Sequence, residues 1–102
     1  MGSLMNTTKG TCYLCGCNRG YQKHHCWHGT ANRKVADKEG LWVWLCNECH
    51  RELHDHGVKD EDLMIESQEA WERKYIEAYP YEHHAEEAAR EEFRRLFGKS
   101  KI

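Results

Sequence analysis

The hydrophobic positions of the chain fall into one short apolar run followed by longer amphipathic segments. Residues 41–45 read Leu-Trp-Val-Trp-Leu, and such a run of aromatic and branched residues is long enough for a strand but too short for a helix. A second strand is predicted earlier in the chain, near residues 21–27. The chain therefore has two predicted strands before its helical part.

Three helices are predicted after the second strand. Helical spacing begins at Asn47 and continues to Gly57, a residue type that commonly ends helices. A second helix is predicted to open at residues 67–69 and to stop at Pro80, and a third to close at Gly98. Their apolar stripes are Trp71, Tyr75, Ala78 and Tyr79 in the second helix and Ala85, Ala89, Phe93, Leu96 and Phe97 in the third. We expect these stripes to pack on the N-terminal half, with a homodimer or protein-partner face as the alternative.

The remaining segments are predicted as turns and loops. Residues 12–17 form a cysteine-bearing knuckle with turn residues around it, and the segment bounded by Gly29 and Gly40 is interpreted as a loop. We predict a flexible N-terminus over residues 1–11, whose first residues are typical of a cloning remnant. Residues 12–57 then form one unit, and residues 58–102 form a helical extension packed on it.

Composition narrows the class of protein. The 102 residues are enough for one domain, and the formal charge of −2 gives no overall basic signal, so nucleic-acid contacts must come from local patches. Residues 1–11 contain no apolar run like a signal peptide, and no stretch approaches the roughly 20 apolar residues of a membrane span. We therefore expect a cytoplasmic protein with reduced cysteines and no membrane partner.

The six cysteines predict a structural zinc site. Cys12-x-x-Cys15 and Cys46-x-x-Cys49 are two corners, one on a knuckle and one at a helix start, that can offer four thiolates to a tetrahedral Zn²⁺. Such a site has no open position and is structural. Two cysteines are left over: Cys26 is interpreted as a small buried apolar residue, whereas Cys17 could compete with Cys15 for the metal.

The histidines predict a second, reactive metal site. His50 and His54 lie four residues apart, which puts both imidazoles on one helix face, and His24 can join them. Because His24 and His25 face opposite sides of a strand, the first can bind a divalent cation while the second stays free as a base. That division suits phosphodiester hydrolysis, in which the cation neutralises charge on the phosphate and His25 takes a proton from water.

The other histidines have weaker assignments. His28 is an alternative ligand or phosphate contact, although a solvated or core-satisfied histidine is the more common case. His56 could replace His54 if the helix ends early. His83 and His84 repeat the dipeptide on an acidic helix and are interpreted as surface residues.

Over about residues 12–57, these motifs resemble the HNH endonucleases, whose site is a ββα-metal unit of two strands and a helix. The resemblance implies that His25 is the general base, that His24, His50 and His54 bind the catalytic cation, and that the cysteine pairs hold the structural zinc. The segments around His28-Gly29 and residues 45–55 also look like small phage-encoded members, including the recombination-enhancement nucleases of phages. A phage origin would put the protein in the cytoplasm of a bacterial host.

One position departs from the family pattern. The family's middle Asn usually stands just before the second strand and orients the loop that carries the base, but residues 39–41 here are Glu-Gly-Leu. Asn32 is our candidate for this catalytic role, Glu39 is an alternative, and the role could also be empty. Without a residue that orients this loop, catalysis would be weaker while the fold persists, since a misplaced base loses much of its rate advantage.

The sequence thus predicts an α+β fold, in which a zinc-stapled, treble-clef-like ββα-metal unit is followed by two helices. The predicted function is a metal-dependent DNA endonuclease that uses structural Zn²⁺ and catalytic Mg²⁺, Mn²⁺ or another divalent cation. Arg33 and Lys34, on the predicted loop, are the candidate DNA contacts, with an ordinary solvated loop as the equally simple interpretation. The alternative is a non-catalytic zinc module that binds nucleic acid or a protein partner.

Overall fold

The structure is a computed structural model that describes residues 2–80 and 83–102. In chain order its elements are β1 (Gln22–His25), α1 (Thr30–Glu39), β2 (Trp42–Leu45), α2 (Asn47–His56), α3 (Asp60–Ala78) and α4 (Ala85–Phe97). This is an α+β arrangement of one two-stranded sheet and four helices over the described ranges, which confirms the predicted fold class at that level. None of the helices in these ranges is both long and apolar enough to cross a membrane.

The two predicted strands are confirmed and pair with each other. β1 and β2 run antiparallel, with His24 opposite Val43 and His25 opposite Trp42. Val43 and Leu45 are fully buried in the core. Helices α1 and α2 both contact β1, the strand that carries the paired histidines.

The prediction of a loop between Gly29 and Gly40 is wrong, because this segment forms helix α1. Its glycines mark the ends of a helix: Gly40 closes α1 in the left-handed conformation at φ 78°, with its N–H donated to the carbonyl of Ala36. A Cβ on Gly40 would also lie 2.8 Å from the carbonyl oxygen of Gly2. Only Ala36 of this helix is buried, so the sequence carries almost no apolar stripe from which a helix could be predicted.

Helix α3 begins at Asp60, well before the predicted start at residue 67. The reason is that Ser67 and Gln68, which look like a helix opening in the sequence, are buried polar residues in its middle. Ser67 accepts a hydrogen bond from the indole N–H of Trp27 at 3.0 Å, and Gln68 donates to Glu72 at 2.7 Å. Acidic residues in the first turn suit the positive end of the helix dipole.

Helices α2 and α4 match the prediction, and each ends at a glycine in the left-handed region, Gly57 and Gly98. Two aromatic residues of the stripe predicted for α4, Phe93 and Phe97, contact the N-terminal half. The ring centroid of Trp27, just after β1, lies 5.0 Å from that of Phe93 and 5.2 Å from that of Phe97. These contacts join α4 to the segment that carries the histidines.

The N-terminal segment differs from the flexible tail that the sequence predicts. Ser3 donates a hydrogen bond to the carbonyl of Trp42 at 2.6 Å, and the backbone N–H of Trp44 donates to Thr7 Oγ1 at 3.0 Å. Met5 is buried in the core. The segment is therefore held along β2, because it satisfies backbone groups of that strand and contributes an apolar side chain.

Candidate metal centres

Four thiols meet where the N-terminal knuckle approaches the start of α2. The sulfurs of Cys12, Cys15, Cys46 and Cys49 all lie within 4.8 Å of one another. The distance between Cys15 Sγ and Cys46 Sγ is 3.8 Å, and a tetrahedral zinc with bonds of about 2.3 Å holds its sulfurs about 3.8 Å apart. The group can therefore bind a metal such as zinc.

Local backbone geometry brings these thiols together. In the knuckle, the N–H of Gly16 donates to the carbonyl of Cys12 at 2.9 Å, and Gly16 adopts φ 76°, a conformation that favours glycine. Cys46 caps α2, and its sulfur accepts the N–H of Cys49 at 3.4 Å. This contact holds the Cys46 sulfur beside Cys49 in the first turn of the helix.

The thiols of Cys12, Cys15 and Cys49 differ in acidity. Burial opposes ionisation of Cys12, but backbone N–H groups, with that of Cys15 first among them, lower the pKa of Cys12 to about 6. The backbone N–H of Cys17 acts in the same direction on Cys15, yet hydrogen bonds with neighbouring thiols raise the pKa of Cys15 to about 11. Burial and the Cys46 thiol raise the pKa of Cys49. Ionising all four thiols would need a compensating positive charge, which zinc would supply.

The two remaining cysteines lie outside this four-thiol group. Cys17 is half-buried and is not a member of it. Of the two candidates for this position, Cys15 and Cys17, the group therefore contains Cys15. Cys26 is fully buried, and its thiol donates to Met5 Sδ at 3.5 Å. Burial raises the pKa of the Cys26 thiol to about 12. The interpretation of Cys26 as a small buried residue is confirmed.

The structure also brings together His24, His50 and His54, whose ligand nitrogens lie within 4.8 Å of one another. We call these residues the three-histidine group. One turn of α2 separates His50 from His54, and their Nε2 atoms are 3.0 Å apart. Two nitrogens bound to one cation at about 2.0–2.1 Å lie roughly 3 Å apart. The spacing therefore fits a shared cation.

His24 is the buried member of the group. Its side chain is 2% exposed, and its Nε2 is a buried atom without a hydrogen-bond partner. Leaving such an atom unpaired costs about 1–3 kcal/mol, a cost that a bound cation would remove. Burial, followed by the neighbouring His50 and His28, lowers the pKa of His24 to about 3. The imidazole is neutral at physiological pH, which is the form that binds metals.

The three-histidine group opens onto a cavity of about 230 Å³ that His25 and Arg33 also line. His25 is the last residue of β1, and its side chain is 22% exposed. It is not part of either metal-ligand group that contains His24. The imidazole of His25 therefore borders the cavity without belonging to the ligand set.

Asp37, on α1, is the partner of His25. Its Oδ1 lies 3.1 Å from His25 Nε2 and 2.6 Å from Lys23 Nζ. The hydrogen bond from Lys23, followed by that from His25, holds the pKa of Asp37 below its usual value. Because an ionised carboxylate only accepts hydrogen bonds, Nε2 of His25 must carry the proton of this pair.

The residues predicted to replace the family's middle Asn do not meet His25 in this way. Asn32 lies on α1 but is not among the described residues that line the histidine cavity, and Glu39 accepts a hydrogen bond from the indole of Trp71 at 3.1 Å. Asp37 was not predicted, because its position one turn after Arg33 becomes visible only once the segment is helical. Arg33 and Lys34 line the groove beside His25 and Asp37.

The other histidines divide into two kinds. His28 Nε2 lies 2.5 Å from Asp60 Oδ1, and both residues form a further group with His24. His56 remains within α2 and is exposed, while His83 and His84 are exposed ahead of α4. The surface interpretation of the last two is confirmed.

Comparisons with protein-family models, with curated proteins and with solved structures found no match to this chain. The functional inference therefore rests on the two metal-ligand groups and on the residues that surround the histidine cavity.

Proposed function

We propose that this protein is a metal-dependent endonuclease of the HNH type that hydrolyses phosphodiester bonds in DNA. The observation that carries the proposal is the position of His25. A histidine paired with an ionised carboxylate borders the same cavity as three histidines whose nitrogens fit one cation. A cation site and a general base side by side are the two components that metal-assisted hydrolysis needs.

His25 is suited to accept a proton from water. Its Nε2–H is directed to Asp37 Oδ1 at 3.1 Å, which leaves Nδ1 as the unprotonated nitrogen of a neutral imidazole. Asp37 also stabilises the imidazolium once the proton has been taken. In this scheme Asp37 is a positioning residue, and it fills the role for which the sequence offers Asn32.

His24, His50 and His54 would hold the divalent cation, Mg²⁺, Mn²⁺ or another. When bound, this cation supplies electrostatic stabilisation of the charge that develops on the scissile phosphate and the leaving oxygen. Cys12, Cys15, Cys46 and Cys49 would hold Zn²⁺, which supplies stability and no chemistry, because four thiolates leave it no open position. Both groups include residues of α2, so the zinc site would fix the helix that carries His50 and His54.

The DNA strand would enter along the N-terminal part of α1. Arg33 lines both the histidine cavity and the groove beside it, and Lys34 lines the groove. Both are exposed and can contact phosphates without reading sequence. With a net charge of −2 the remaining surface adds little attraction, so binding should be weak and sensitive to salt.

The test is nicking of supercoiled plasmid by zinc-loaded protein that is free of contaminating nuclease. We expect cleavage that needs added Mg²⁺, Mn²⁺ or another divalent cation and that stops when a chelator is added. His83→Ala is the matched control, since this histidine is exposed and lies outside the metal-ligand groups. It should cut as the unaltered protein does.

The four-thiol group is complete without any histidine, which is the observation that favours the alternative function, a non-catalytic zinc module. If zinc-loaded protein cuts no DNA with any divalent cation, the endonuclease proposal fails and the binding module takes its place. DNA or protein binding that persists without cleavage would be its signature.

A further inference from the structure

A second set of metal-ligand atoms shares His24 with the three-histidine group. The ligand atoms of His24, His28 and Asp60 all lie within 4.8 Å of one another. His28 follows β1, and Asp60 is the first residue of α3. This set, which we call the carboxylate arm, contains an oxygen ligand that the three-histidine group lacks.

The buried His24 side chain is the independent sign that a ligand belongs here. Its Nε2 has no hydrogen-bond partner, although the residue is only 2% exposed. The ring of His24 lies 5.6 Å from that of His28, and it lies 5.4 Å and 5.5 Å from those of His50 and His54. Both sets therefore surround the same buried imidazole.

The surroundings of Asp60 favour a carboxylate beside His24. It stands in the first turn of α3, where the helix dipole favours negative charge. Lys59, next to it, instead contacts Asp62 at 3.7 Å. Among the ion pairs between described residues, His28 is the partner of Asp60, with Nε2 2.5 Å from Oδ1. Two ligand atoms of different residues therefore already face each other beside His24.

We propose that His28 and Asp60 are ligands of the cation held by His24, so that this centre is a mixed nitrogen and carboxylate site. The inference rests on the cation role proposed above for His24 and adds two ligands from outside the three-histidine group. Imidazoles alone suit Zn²⁺, Ni²⁺ or Cu²⁺, whereas carboxylate oxygen suits harder cations such as Mn²⁺. Together with His24, His50 and His54, the two added ligands fill five of the six positions of an octahedral cation and leave one for water or substrate. Asp60 thus directs the centre toward Mn²⁺-like cations.

The experiment is a titration of the full chain with Mn²⁺, followed by electron paramagnetic resonance of the free ion. The protein is first loaded with one equivalent of zinc, because thiolates prefer zinc and Mn²⁺ then has no place at the cysteines. Asp60→Asn keeps the size of the side chain and removes its charge. We expect it to weaken Mn²⁺ binding about tenfold or more. Asp62→Asn, in the same turn of α3 and exposed, is the control and should change the affinity less than about twofold.

A parallel titration with Co²⁺ tests the selectivity. Cobalt accepts nitrogen ligands readily, so Asp60→Asn should weaken Co²⁺ binding less than Mn²⁺ binding, whereas His54→Ala should weaken both. If Asp60→Asn loses helical circular dichroism, His28→Gln replaces it and should give the same loss of Mn²⁺ affinity.

The outcomes separate this inference from the endonuclease proposal. Unchanged Mn²⁺ affinity in Asp60→Asn and His28→Gln, with a loss in His54→Ala, overturns the carboxylate arm and leaves the three-histidine group in place. If the unaltered protein binds no Mn²⁺, both the arm and the cation role of His24 are overturned.

Discussion

Asp37 Oδ1 lies 3.1 Å from Nε2 of His25, across the space between α1 and the end of β1. This contact decides which nitrogen of His25 is free, because the carboxylate requires Nε2 to be the donor. It also links the proposed base to a helix that the sequence pattern does not predict.

Asp37→Asn tests this relationship. The amide can still contact His25 but cannot stabilise an imidazolium, so we expect the rate of plasmid nicking at saturating DNA to fall about 10-fold to 100-fold, with little change in DNA affinity. Because the pKa of Asp37 is held low, the unaltered protein should keep this contribution throughout the neutral range. Asp55→Asn, an exposed residue on α2, serves as the control; an equal loss in both variants would contradict a positioning role.

Cys46→Ser should remove the structural zinc. We expect the bound zinc to fall from about one ion per chain to nearly none and the Tm to fall by about 10 °C or more, because metal binding and folding are coupled. Zinc content and thermal denaturation followed by circular dichroism measure the two effects. Cys17→Ser is the matched comparison and should keep its zinc, since Cys17 lies outside the four-thiol group. Zinc loss in Cys17→Ser would show that Cys17, and not Cys15, is the fourth zinc ligand.

The depressed pKa of His24 predicts how stability depends on pH. The unfolded chain takes up a proton near pH 6.5, but the folded chain does so only at about 3. The contribution to stability is therefore complete above pH 6.5 and is lost progressively as the pH falls toward 3. Between pH 6.5 and 5.5 the unaltered protein should lose about 1 kcal/mol more than His24→Gln. Urea unfolding at the two pH values, without added divalent cation, measures this difference, and equal losses would show that His24 does not titrate in this way.

Ser67→Ala should destabilise the core because it removes one hydroxyl group. The hydroxyl of Ser67 is fully buried and accepts the indole N–H of Trp27 at 3.0 Å. Without it the indole N–H stays unpaired, so we expect the free energy of unfolding to fall by about 1–3 kcal/mol. Glu69→Ala, on the exposed face of the same helix, should stay within about 0.5 kcal/mol of the unaltered protein. Equal stability of both variants in urea unfolding would contradict the buried contact.

Local spacing is what made the two ligand groups predictable. Cys12 and Cys15 lie on one knuckle, and His50 and His54 lie on one turn of helix, so short-range geometry already places each pair. Two antiparallel strands and the helix that follows them are enough to bring these pairs next to their remaining ligands. Among these elements, β2 and α2 have clear patterns in the sequence.

The carboxylates around the cavity could not be predicted in the same way. Asp37 and Asp60 are 12 and 32 residues away from His25 and His28, and each belongs to a helix whose start carries little apolar signal. Helix α1 buries only Ala36, and the middle of α3 buries Ser67 and Gln68. Buried polar residues are stabilised in the core by hydrogen bonds. A pattern of hydrophobic positions therefore cannot predict that they are buried.

The most direct test of the central claim is the rate of plasmid nicking by His25→Ala with zinc and divalent cation present. Loss of a general base predicts a rate at least about 100-fold below that of the unaltered protein, with zinc content and circular dichroism unchanged. Added imidazole should restore part of this rate, since it can take the same proton. Cleavage by His25→Ala at the rate of the unaltered protein would contradict the account.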